Sequence, residues 1–129
     1  MSTSLDQSQE ILEKIMQQRP AVAWIIILSV DGLIMSAISP ALPDNEGVMG
    51  DLASAWLFSL SERIVDDLDK GQLQFATMSF RKGMLFTIPL EIGGDCFLAF
   101  LIDGKPVIDD VLQYLEDSGH LAALQAIWK

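Results

Sequence analysis

Two stretches of this chain, AVAWIIILSV at residues 21–30 and CFLAFLI at residues 96–102, run almost without a polar interruption. A strand with one wet face alternates polar and apolar residues, whereas a strand without alternation is buried on both faces. Both runs therefore read as interior strands of one sheet. Neither reads as a membrane span, because the apolar run at residues 21–28 falls far short of the roughly 20 residues that cross a bilayer.

The segments around them fill in an α+β order. Ser4-Leu5-Asp6-Gln7 fits a capping box, with Ser4 as N-cap and Gln7 at N3. The helix it opens carries Leu5, Ile11, Leu12, Ile15 and Met16 on one stripe and is stopped by Pro20. Asp31-Gly32 is a two-residue hairpin signal, after which LIMSAIS returns as a second strand. QLQFATMSF reads as an edge or half-exposed strand. Arg81-Lys82-Gly83 separates it from MLFTIPLEI, in which Pro89 suits the strand's end, and Gly93-Gly94 leads into the last strand. Pro106 opens a closing helix with Asp109 and Asp110 in its first turn and Ile108, Val111, Leu112 and Leu115 on its core stripe. Ser118-Gly119 interrupts it, and Leu121, Leu124, Ile127 and Trp128 form an amphipathic tail.

Residues 46–69 read as a long middle helix that is apolar on more than one face, closed by Lys70-Gly71 with glycine at C′. At about 100° per residue, Met49, Ala53, Trp56, Leu57, Leu60, Ile64 and Leu68 share one arc. Leu52, Ala55, Phe58 and Val65 lie outside it. Covering one sheet takes a single stripe, so the second face wants another surface, most simply a second copy of the chain. The alternative is a deep core closed over by the loop at 40–45, but Pro, Asp and Asn are poor covering residues.

Composition narrows the class. The 129 residues suffice for one domain, taken here as residues 1–129 with 118–129 as a C-terminal helical extension. Half the residues are apolar and mean hydropathy is +0.35, yet 18 acidic against 8 basic residues give a net charge of −10. That acidity speaks against nucleic acid and anionic membrane surfaces, both of which select basic patches. A polar, acidic N-terminus without a basic n-region and a single cysteine, Cys96, imply a cytoplasmic protein without disulfides.

The order α-β-β-α-β-β-β-α, with strand connections short enough for antiparallel hairpins, resembles the roadblock family of dynein light-chain and small-GTPase-regulator domains. The likeness is carried by Arg19-Pro20-Ala21-Val22, by the hairpin Ile25-Ile26-Ile27-Leu28-Ser29-Val30-Asp31-Gly32-Leu33-Ile34, by the long middle helix, by the strand pair around Gly83 and by the strand from Phe97 to Ile102. It covers residues 8–103, and residues 118–129 extend beyond a minimal domain of this kind. The resemblance implies a profilin-like five-stranded antiparallel sheet in the order 2-1-5-4-3, with the middle helix on one face and the terminal helices on the other. It also implies a homodimer joined through the third strand and middle helix, which would place Leu52, Ala55, Phe58, Val65, Gln72, Gln74 and Ala76 at the seam. The partner it implies is a Ras-like small GTPase, docked on the paired middle helices through Ser59, Glu62, Arg63 and Asp66. Hydrolysis would be modulated by selecting a GTPase conformation rather than by a catalytic group of this chain. The alternative is an adaptor or scaffold of the dynein light-chain kind with no effect on nucleotide turnover.

Enzyme readings lack their parts. Ahead of Gly104-Lys105 the first glycine of a phosphate-binding loop would fall at Ala99, and Val107 offers no hydroxyl for Mg²⁺. With His120 and Cys96 the sole residues of their kinds, neither a serine triad nor a zinc cluster can be assembled, and no cofactor is expected. Arg63 could stabilise transition-state charge in trans, but a solvated or locally paired arginine is the plainer reading. Asp66, Asp67 and Asp69 crowd a helix C-terminus, where the macrodipole disfavours them by some tenths of a kcal/mol, and serve solubility or a basic partner surface. A small-molecule sensor built on an apolar pocket is a third reading, with no convergent polar groups in its favour.

Overall fold

The computed structural model describes residues 4–29, 34–38, 68–71, 74–90 and 96–128. Strands β1 (Val22–Ser29), β2 (Ile34–Ile38), β3 (Ala76–Phe80), β4 (Gly83–Pro89) and β5 (Cys96–Asp103) form one antiparallel sheet in the order β2-β1-β5-β4-β3. Helix α1 (Ser4–Gln18) precedes the sheet; α2 (Ile108–Asp117) and α3 (His120–Ile127) follow it. This is the α+β, profilin-like sheet order that the resemblance implies; the middle helix expected over 46–69 lies, up to residue 67, outside the described residues.

Unbroken apolar runs lie inside the sheet because both of their faces are buried. In β1, residues 24–28 are all buried, and side chains alternate between two cores. Ile25 and Ile27 join Phe86, Leu98 and Phe100 on one face; Trp24, Ile26 and Leu28 join Leu85, Phe97 and Ala99 on the other. The cross-strand pair Phe86–Phe100 stacks with ring centroids 5.0 Å apart and planes 4° from parallel. Strand β4 is equally interior, which its sequence conceals: Thr87 interrupts the apolar run yet is fully buried. Its hydroxyl donates to the Ala76 carbonyl oxygen at 3.3 Å, so its polarity is satisfied.

All described helices cover the first face. Leu12 and Ile15 of α1, Val111 and Leu115 of α2 and Leu124 of α3 are buried in that core, with Ile11, Met16, Ile108, Leu112, Leu121 and Trp128 packed around it. Ser8 also turns inward, fully buried, and accepts a hydrogen bond from Trp128 Nε1 at 2.9 Å. Trp128, just after α3, is thereby tied to the first helix.

Several local expectations shift. Ser4 is the first helical residue rather than the cap before it. Strand β3 begins at Ala76, not at Gln72. Val107 is extended (φ −81°, ψ 121°), so α2 starts at Ile108 and Pro106 lies outside it. The last helical residue of the middle segment is Leu68, with Asp69 (φ 51°) and Gly71 (φ 91°) in the left-handed region beyond it. Leu68 is 58% exposed, which removes it from the core arc: it sits where the chain leaves the helix and turns. Gly119 (φ 76°) breaks α2 from α3, as the Ser118-Gly119 pair suggests.

Candidate interaction surface

Among the described residues no three His, Cys, Asp or Glu side chains lie close enough to hold a metal ion. A cavity of about 10 Å³ beside Ile15, Arg19, Phe100 and Tyr114 has room for one water at most. Cys96 is buried at the start of β5. His120 opens α3, with Nε2 3.0 Å from Gln18 Oε1 and the ring edge-on to Tyr114. Burial, seconded by the Lys14 charge, lowers its pKa below the usual 6.5. Tyr114 donates to the same Gln18 oxygen at 2.5 Å, and its pKa is raised by burial against the opposing pull of Arg19, whose guanidinium lies 5.0 Å from the ring centroid. These side chains fasten the terminal helices together.

The sheet's two edges differ. β2 is occupied: α1 lies against it, Gln9 Nε2 donates to the Ala37 carbonyl at 3.2 Å, and Ser36 Oγ donates to Gln9 Oε1 at 2.6 Å. β3 makes its substantial contacts with β4 and, among the described elements, with no helix. An edge strand left in this state is a template for pairing with another chain.

Register shows which groups that edge presents. Phe80 pairs with Gly83, so the turn is the two-residue Arg81-Lys82 and not the three-residue Arg81-Lys82-Gly83. Gly83 is the first residue of β4, and a Cβ there would come within 3.1 Å of the Ile102 carbonyl oxygen, which favours glycine. Residues flanking a two-residue hairpin loop form a hydrogen-bonded pair, and the pattern alternates along the ladder. Phe80, Met78 and Ala76 thus bond toward β4, while Thr77 and Ser79 direct their N–H and C=O groups outward. Thr77 and Ser79 were missed in the sequence, although counting back from a correctly placed turn finds them. Met78 and Phe80 share the second face of the sheet, and Phe80 is 49% exposed.

Of the expected seam residues, Gln74 is exposed just before β3 and Ala76 is the first residue of that strand. Leu52, Ala55, Phe58, Val65 and Gln72 lie outside the described residues, as do Ser59, Glu62, Arg63 and Asp66.

The sheet carries helices α1 to α3 on one face, and no described helix packs substantially on β3. The Roadblock/LC7 domain family matches residues 8–94. Compared by sequence with curated proteins, the chain matches none. Among solved structures it is similar to MglB of Myxococcus xanthus, at 9% identity and TM-score 0.81, covering 99% of this chain and 92% of that one. It is similar to the gliding protein MglB of Thermus thermophilus, at 13% identity and TM-score 0.79, over 98% and 92% of the two chains. A Roadblock/LC7 domain from Streptomyces avermitilis is 24% identical with TM-score 0.71, over 92% of this chain and 91% of that one. At these identities the structures speak to the fold, and the family match over most of the chain gives the assignment: this protein belongs to the Roadblock/LC7 domain family.

Proposed function

We propose that this chain is a non-catalytic, homodimeric regulator of a Ras-like small GTPase. The observation that carries the reading is a β3 edge on which, among the described elements, no helix packs substantially, in a Roadblock/LC7 domain. Pairing of β3 with β3 of a second copy would satisfy the outward groups of Thr77 and Ser79 and extend the sheet across the twofold axis. Gln74 and Ala76 lie at that seam, with Gln72 and the apolar residues Leu52, Ala55, Phe58 and Val65 of the middle segment completing it. The polar residues Ser59, Glu62, Arg63 and Asp66 of the same segment meet the GTPase.

Regulation of this type is differential binding. The dimer favours the GTPase conformation that positions water and catalytic residues, and hydrolysis accelerates only as far as that preference reaches. The deciding experiment measures single-turnover GTP hydrolysis by a co-purifying Ras-like GTPase with and without this protein. Acceleration that survives Arg63→Ala is expected. A stable complex with an unaltered rate would identify an adaptor, and failure to retain any GTPase loaded with a GTP analogue would refute the partner assignment.

A further inference from the structure

In a chain of net charge −10, three of the eight basic residues gather at one end of the sheet beside an exposed phenylalanine. Arg81 and Lys82 form the turn beyond the last β3–β4 pair, and both are exposed. The loop after β5 folds against that turn: the Gly104 N–H donates to the Lys82 carbonyl at 3.0 Å. Lys105 then reaches back, its ammonium donating to Ser79 Oγ at 3.0 Å and to the Phe80 carbonyl. Its charge is therefore held over the end of β3 instead of sweeping through solvent. Phe80 is 49% exposed and Val107, two residues beyond Lys105, is 61% exposed. Among the described residues neither the Arg81 nor the Lys82 side chain is engaged in an ion pair. Asp103, opposite Gly83, is the strand carboxylate here, and Asp109 and Asp110 begin α2 beyond Val107; the turn itself remains net positive.

We propose that this end of the sheet docks a short acidic segment of a partner protein, with an apolar side chain of that segment seated on Phe80. The chemistry separates this occupant from an extended polyanion. At physiological ionic strength charges are screened over about 8 Å, so a short segment meets the three local cations and Asp103, a net positive group, rather than the charge of the whole chain. A membrane or nucleic acid surface spans the molecule and confronts its full negative charge. The surface does not depend on the regulator reading, and it adjoins the proposed β3 seam, whose outward groups reach from Thr77 to Ser79.

The test is a titration of the ¹⁵N-labelled full chain with an end-blocked peptide, Glu-Glu-Leu-Phe-Glu-Glu, followed by amide shifts. Its glutamine counterpart and phosphatidylserine vesicles are run in parallel. Saturable shifts confined to residues 79–83 and 104–107 are expected. Replacing both turn cations (Arg81→Gln with Lys82→Gln) should weaken binding about fivefold, the loss of two exposed ion pairs. Lys105→Gln serves as an independent variant, and Phe80→Ser should also weaken binding. Equal binding of the glutamine peptide, shifts elsewhere on the surface, indifference to the cation variants or binding only to vesicles would each overturn the proposal.

Discussion

If β3 is the seam between two copies, Thr77→Pro should dissociate the dimer while leaving the domain folded. The register of the hairpin places the Thr77 N–H on the outer edge of the sheet, where β4 does not use it. Proline is tolerated at such a position because its missing donor costs the internal ladder nothing. Across a twofold seam each copy loses one donor, so the dimer loses two backbone hydrogen bonds. At roughly 0.5–1.5 kcal/mol each, the cost is about 1–3 kcal/mol, or about 5- to 150-fold in the dimer Kd. Sedimentation velocity over a concentration series reads that shift directly. Amide spectra of β1, β4 and β5 report whether the sheet survives. Should the proline disturb the hairpin, Ala76→Arg places like charges at the same edge without touching a backbone donor. A Kd unchanged in both variants, with the sheet intact, would show that β3 is not the seam. A chain monomeric at every concentration would refute the dimer itself.

Two further expectations concern the terminal helices. Leu124→Ala removes a fully buried side chain from the core that α3 shares with α1 and should lower unfolding free energy by about 2–5 kcal/mol in denaturant titration. A change below about 1 kcal/mol would mean that α3 contributes little to the fold. His120 has a folded pKa held below 6.5 by burial and by the Lys14 charge, so the folded state resists protonation. Its contribution to stability is complete above that pH and is lost as pH falls from there through the folded pKa. His120→Gln should flatten the stability profile across that window, and an unaltered slope would assign the pH dependence to other groups.

Much of the fold was legible because burial on two faces leaves a direct mark in sequence. Residues 24–28 and 96–100 are apolar at every position, and β1 and β5 are interior strands. The stripes of α1 and α2 were equally readable, since a helix against one sheet face needs apolar residues only at helical spacing. Strand β4 escaped because Thr87 resembles a break in the run, and no periodicity reveals that the Ala76 carbonyl accepts its hydroxyl. Leu68 failed in the opposite direction: helical phase assigned it to the core, but phase does not say where the helix ends. The Ser8–Trp128 bond, joining residues 120 positions apart, had no local signal at all.

The surface divides along the same line. Residue pattern and family likeness were enough to establish the sheet order, the two central strands and the acidity of the chain. They also showed that the glycine and hydroxyl spacing of a phosphate-binding loop is missing around Gly104-Lys105. Only the folded chain reveals that α1 and Gln9 occupy the β2 edge while no described helix packs substantially on β3, and that Thr77 and Ser79 face outward from it. Folding also brings Lys105 onto the strand end beside Arg81 and Lys82. The difference arises because local patterns record how much of each side chain is buried. Which edge is covered, and which distant cations meet, depends on contacts between residues far apart in the chain.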